Sequence, residues 1–150
     1  MSVYFRSGDL FRSSAQTLAH GCNCKGKMGA GIALELKRQF PEMYRTYRQR
    51  CFRGQIKPGG HYLYKGAERW VLNFATQADL SAAHIDFVEQ CLRDFCGYYR
   101  GEGITSLALP LIGSGLGGLE PNEVRQLICD VLGALPIPIY IYDDANSRIV

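Results

Sequence analysis

The chain has 150 residues, 47% of them hydrophobic, and a formal net charge of +3. That is enough apolar material for a proper core, and neither a repeat nor a low-complexity stretch divides it, so one domain over 1–150 is expected. No apolar run approaches the roughly 18 residues of a membrane helix, which excludes a helical membrane protein.

In chain order, Val3 to Phe5 reads as a short strand and Gly8 to Phe11 as the turn after it. Gln16 to His20 reads as a buried second strand that runs into a glycine-rich loop. A helix starts near Gly31, with Ile32, Ala33, Leu36 and Phe40 at helical spacing. Pro41 ends or interrupts it, and Met43, Tyr44, Tyr47 and Cys51 suggest a further helix. Gly59-Gly60 is a turn, and His61 to Tyr64 and Trp70 to Phe74 read as two strands of a hairpin. Thr76 to Leu80 is a loop, and Ser81 to Tyr99 is the longest helix, with Ile85, Val88, Leu92, Phe95 and Tyr99 on one face. Ile104 to Leu109 is a strand leading into a second glycine-rich loop, and Pro121 suits the first turn of the next helix. Ile137 to Tyr142 is the last strand. This alternation predicts an α/β fold whose sheet is covered by helices on both faces, mixed because of the hairpin.

Six cysteines stand at 22, 24, 51, 91, 96 and 129. The first ten residues lack the apolar core of a secretory signal, so reduced thiols and a cytoplasmic location, or a nuclear one in a eukaryote, are expected. Cys22 and Cys24 form CxC, but no second Cys/His pair of zinc-finger spacing follows, and neither a metal nor a cofactor is expected. Charge is uneven. From Glu35 to Lys57 seven basic residues face two acidic ones, which leaves that segment at +5 and the remainder at −2. Such a segment is either a solvated helix face or a patch for nucleic acid or another polyanion.

Two stretches carry the chemistry. The first is HGCNCKGKMGAGIALELKRQFP, beginning at His20, and the second is PLIGSGLGGLEP, beginning at Pro110. Each couples a strand, a glycine-rich loop and a helix start. Glycines let the backbone approach a ligand closely, and the first turn of a helix offers unpaired N–H groups and the positive end of the dipole. Two such loops suggest a diphosphate clamped between them. Neither is a Walker A motif, and the Gly29-Ala30-Gly31 run lacks the third glycine of a dinucleotide fingerprint.

Together with Gly8-Asp9-Leu10-Phe11, these stretches resemble a macrodomain. The similarity is to the branch of ADP-ribosyl glycohydrolases, ADP-ribose-1''-phosphate phosphatases and antitoxin macrodomains that remove ADP-ribose from DNA. The resemblance implies a three-layer α/β/α fold with a mixed sheet of about six strands. It also implies a site for ADP-ribose, or for an ADP-ribosylated protein or nucleic acid; the sequence does not reveal the oligomeric state, and a monomer is the expectation. Asp9 would select adenine, with the N–H of Leu10 reaching a ring nitrogen, and Tyr142 would stack on the base. Asn23 would contact the distal ribose hydroxyls, and Met28, Gly29, Ala30, Gly31 and Ile32 would line that ribose and the diphosphate. Gly113, Ser114, Gly115, Leu116 and Gly117 would close over the phosphates. The implied activity is hydrolysis at the distal ribose of a protein glutamate ester, an O-acyl-ADP-ribose, ADP-ribose-1''-phosphate or a nucleic-acid adduct.

Two departures bear on that activity. Relatives that cleave the glutamate ester use a lysine where this chain has Gln77, and an aspartate where it has Gly117. An amide cannot form a Schiff base with an opened ribose. His20, whose ring titrates near neutrality, and Asn23 are then the candidate catalytic residues, with Lys25, Lys27, Cys22 and Cys24 as further candidates. The alternatives are a module that binds ADP-ribose without cutting it, and nucleic-acid binding through the basic 37–57 segment.

Overall fold

The computed structural model describes residues 3–143; positions 1–2 and 144–150, included in the single-domain expectation, lie outside the described residues. In chain order the elements are β1 (Val3–Arg6), a 3-10 turn (Leu10–Arg12), β2 (Thr17–Cys22), α1 (Gly31–Gln39), α2 (Pro41–Phe52), β3 (His61–Lys65), β4 (Trp70–Ala75), α3 (Ile85–Glu102), β5 (Leu107–Pro110), α4 (Pro121–Leu132) and β6 (Ile139–Tyr142). The six strands form one sheet in the order β1-β6-β5-β2-β4-β3. Every neighbouring pair is parallel except β3 and β4, whose hairpin makes the sheet mixed as expected.

The sheet separates two apolar clusters. One joins Ala19, Leu72 and Phe74 to Val88, Leu92 and Phe95 of α3 and to Val124 and Ile128 of α4. The other joins Leu18, Cys22 and Val71 to Leu36 of α1 and to Met43 and Tyr47 of α2. Neighbouring residues of a strand point to opposite faces, so both faces of β2 are covered by helices, which is why that strand is almost continuously buried.

Element ends differ from the sequence pattern where capping decides them. The longest helix begins at Ile85 rather than Ser81, because the His84 side chain accepts a hydrogen bond from the Asp86 N–H. It continues past Tyr99 to a left-handed Gly103 (φ 89°). The Gly103 N–H then bonds the Arg100 carbonyl, and the Ile104 N–H reaches back to the Tyr99 carbonyl. That closure consumes the start of the expected fifth strand, which begins only at Leu107. As expected, the first helix stops directly before Pro41: α1 ends at Gln39, Phe40 leaves helical geometry, and Pro41 occupies the first turn of α2, where a missing N–H has no cost.

This topology positions the site. Strands β2 and β5 are parallel neighbours, yet β2 leads into helices on one face and β5 into α4 on the other. The two connections diverge and leave a crevice beyond the carboxyl ends of the strands, where open α/β sheets bind ligands.

Candidate functional site

The crevice holds a cavity of about 410 Å³, within the range of small-molecule sites. Both glycine loops wall it. Asn23, Met28, Gly29, Ala30, Gly31 and Ile32 line one side, and Gly113, Gly115, Leu116 and Gly117 line the other. His20 also lines it, with Thr76, Gln77 and Leu80 from the loop after β4. Leu80 and Leu116 are both largely exposed and give the cavity apolar rims.

The first loop is held from below by α2. The Asn23 side-chain oxygen accepts from the N–H of Lys25 at 2.9 Å, and its amide nitrogen donates to the Lys27 carbonyl at 2.9 Å. The buried Tyr47 hydroxyl donates to the Asn23 carbonyl at 2.7 Å, and Tyr44 donates to the Gly26 carbonyl at 3.0 Å. Asn23 is thus first the organiser of its own loop. The loop ends at Ala30, which gives α1 no side-chain cap, and no acidic residue stands in the first turn of α1. The dipole at that end therefore meets neither a side-chain cap nor an acidic residue of its own first turn.

The second loop folds on itself through bonds from the Leu119 N–H to the Gly113 carbonyl (3.0 Å) and from the Gly118 N–H to the Ser114 carbonyl (2.8 Å). Among the described residues, no acceptor takes the N–H groups of Gly115, Leu116 and Gly117. Ser114 differs from its neighbours. Its N–H and its hydroxyl both go to the Leu111 carbonyl, at 3.0 and 2.6 Å, and it is buried away from the cavity wall. Gly117 is closed to any side chain. A Cβ there would stand 2.5 Å from the Gly113 carbonyl oxygen and 2.8 Å from the Ala83 Cβ. The position that resembles the family aspartate therefore has no room for one on this backbone.

Behind the loops lies a buried polar chain. The Asn73 amide nitrogen donates to the Tyr62 carbonyl at 3.1 Å, which turns its oxygen toward His20 Nε2 at 2.6 Å. That arrangement assigns the hydrogen to Nε2 and leaves Nδ1 as an acceptor. Nδ1 is buried and has no partner among the described residues. Burial lowers the His20 pKa to about 4, against the opposing bond to Asn73, so the ring is neutral at pH 7. It can accept a hydrogen bond but cannot act as an acid. Burial acts on the thiols of the first loop as well. Burial pushes the Cys22 thiol up, aided by Cys24, Cys51 and Cys91, and pushes Cys24 up to about 11.

Sequence reasoning missed Thr76. Its N–H bonds the Cys22 carbonyl at 3.0 Å, and its side chain comes so close to β2 that a Cβ on Gly21 would lie 2.7 Å from its hydroxyl. Gln77, next to it, donates its side-chain amide to the Ser81 carbonyl.

The adenine-end candidates do not line this cavity. Asp9 is exposed and caps the 3-10 turn, accepting from the Phe11 N–H at 2.9 Å. The Leu10 side chain is fully buried. Tyr142, 8% exposed, pairs in register with Arg6 and with Pro110, a cavity residue, so these positions share the carboxyl edge of the sheet with the cavity. The basic segment is not one face either. Arg38 lies 4.0 Å from Glu35, Arg50 packs over the Tyr62 ring and Lys37 over Tyr44. Arg45 and Arg48 line a second hollow with Phe52.

Among known proteins, the chain is 36% identical to the DNA ADP-ribosyl transferase–DNA ADP-ribosyl glycohydrolase fusion protein of Thermosipho africanus, and 33% identical to the DNA ADP-ribosyl glycohydrolase of Thermus aquaticus. Each match covers 95% of this chain, which spans 42% and 41% of those relatives. The structure superposes on the macrodomain of Thermus aquaticus DarG with a TM-score of 0.88 at 33% identity, covering 95% of this chain and 98% of that one. It superposes on Thermosipho africanus DarTG in complex with ADP-ribose with a TM-score of 0.86 at 36% identity, covering 95% and 42%. The family model for the Macro domain matches residues 19–128, most of the two-loop crevice and the sheet that carries it, and the chain belongs to the macrodomain family.

Proposed function

We propose that this macrodomain binds ADP-ribose in the β2–β5 crevice and hydrolyses its bond to nucleic acid at the distal ribose. The observation that carries the reading is the cavity itself. The second loop leaves the N–H groups of Gly115, Leu116 and Gly117 unpaired among the described residues, the start of α1 has no side-chain cap, and both segments line this one cavity, which suits a diphosphate. The named activity of the DNA ADP-ribosyl glycohydrolases, 32–36% identical to this chain, supports nucleic acid as the leaving group.

In this reading the distal ribose lies against Asn23 and His20, and the diphosphate spans the two loops. His20, with Nε2 held by Asn73 and Nδ1 closed to solvent, backs the wall of the site, and the attacking water is positioned by the loops. The water oxygen forms a bond to the anomeric carbon, the bond to the leaving group breaks, and the water proton passes to the departing group. Gln77 cannot serve as a covalent nucleophile, so the work is positioning and electrostatic stabilisation by the loop N–H groups.

A second reading, binding without turnover, is favoured by the amide at Gln77 and by the closed position at Gly117. Calorimetric titration tests the shared part. ADP-ribose is expected to bind about tenfold more tightly than ADP, a difference of about 1.4 kcal/mol from the distal ribose. Asp9→Ala is expected to weaken ADP-ribose by a similar factor and to lose about 1 kcal/mol of local capping. Asp9→Asn retains the cap and isolates the ligand term. An absence of heat with ADP-ribose overturns both readings. Turnover of an ADP-ribosylated oligonucleotide to free ADP-ribose supports the hydrolase. Binding without turnover, with activity appearing in Gln77→Lys, supports the reader.

A further inference from the structure

The hollow beside α2 is not used by this chemistry, yet its composition is unusual. It measures about 360 Å³ and is lined by Pro41, Tyr44, Arg45, Arg48, Gln49 and Phe52. These residues recur at helical spacing and form one face of α2, beside the row Met43, Tyr47 and Cys51 that enters the core. Phe52 is 66% exposed, a large apolar area to leave in water. The Arg48 guanidinium lies 4.9 Å over its ring. Among the described residues no carboxylate pairs with Arg45 or Arg48. An exposed aromatic ring flanked by unpaired arginines suits a base stacked beside a phosphate backbone.

The hollow adjoins the cavity. A Cβ on Gly26 would lie 3.2 Å from Arg48 and 3.4 Å from Phe52, so the first glycine loop packs on this face. Its next residue, Lys27, lines the cavity. Lys25 and Lys27 are both exposed on the loop and carry positive charge from the hollow to the cavity mouth. We infer that the Tyr44–Arg45–Arg48–Phe52 face of α2 is a docking groove for single-stranded nucleic acid, with one base stacked on Phe52 and the adjoining phosphates at Arg45 and Arg48. A duplex keeps its bases stacked inside and cannot offer a face to Phe52, so the single strand is favoured. The inference rests on the proposed function only for the path into the cavity. Affinity for an unmodified strand is independent of it.

The test is fluorescence anisotropy with a labelled, unmodified oligothymidylate of about 12 nucleotides, a length that spans one stacking platform. Saturable binding is expected at about 50 mM salt, weakening at least tenfold by about 200 mM. Phe52→Ala is expected to weaken it at least fivefold and Phe52→Trp to restore it. Arg45→Ala with Arg48→Ala is expected to lower the salt slope by about 1.4, roughly 0.7 for each phosphate contact on a single strand. ADP-ribose affinity, measured by calorimetry, is expected to be unchanged in every variant. Absence of binding at low salt, equal binding by Phe52→Ala, preference for duplex, or equal affinity for polyglutamate overturns the groove. If ADP-ribose fails to bind while the oligonucleotide behaves as described, the proposed function falls and the groove stands.

Discussion

Gly117→Ala is expected to destabilise the protein by about 1–3 kcal/mol, the usual range for forcing a group into filled space. It is also expected to weaken ADP-ribose at least tenfold, about 1.4 kcal/mol. The added Cβ would meet the Gly113 carbonyl oxygen at 2.5 Å, and backbone cannot rotate away as a side-chain end can. Gly113 is itself in the left-handed region (φ 80°), and its carbonyl receives the Leu119 N–H, so displacing it opens the second loop. The Gly117 carbonyl also accepts the Ala83 N–H at 2.9 Å, which couples the loop to the segment before α3. Gly115→Ala is the control. A Cβ there meets no atom within 4 Å, so the melting temperature is expected to be unchanged and any change in affinity reports ligand room alone. Equal melting temperatures for Gly117→Ala and the wild type would contradict this account. Gly117→Asp, which installs the family aspartate, is expected to destabilise the loop rather than to create activity.

Acidification is expected to remove about 3 kcal/mol of stability between pH 6.5 and 4, through His20. Its folded pKa, lowered by burial to about 4, lies below the ordinary histidine value of 6.5. Between these values the unfolded chain binds the proton and the folded one does not. Stability therefore rises with pH through this window, is complete above 6.5 and is lost toward 4. His61, also lowered by burial though opposed by Glu102 and Asp94, acts in the same direction. Unfolding measured at pH 4.5 and 7 in the wild type and in His20→Gln checks the assignment. The variant is expected to lose the part due to His20 and to keep the part due to His61. An unchanged pH slope in His20→Gln would remove His20 from the account.

Much of the site was legible because it is local. A strand, a run of glycines and a helix start within about a dozen residues are one piece of chain, and glycine leaves few other readings where a loop must turn left-handed or approach a ligand. Gly113 and Gly118 adopt positive φ in the second loop, as Gly26 and Gly31 do in the first. The replacement of the family lysine and aspartate was also legible, since it needs only residue identity. Less visible was the spending of polar groups. Asn23 and Ser114 looked like ligand contacts, yet Asn23 ties its own loop together and Ser114 bonds the Leu111 carbonyl. Side-chain satisfaction depends on which carbonyls come near, and spacing does not state that.

By itself, the sequence determined the alternation of strands and helices, the hairpin, the two glycine loops and the family. All of these follow from periodicity, turn chemistry and motifs within short spans. Tertiary structure alone decided the strand order that sets β2 beside β5 and the 53-residue partnership of His20 with Asn73. It also decided the anchoring of the first loop by Tyr44 and Tyr47, and which arginines of the basic segment gather beside Phe52. The reason is physical. Strand register and helix docking are fixed by burying apolar faces across the whole chain, and a polar group's role is set by whatever that burial brings within 3 Å of it.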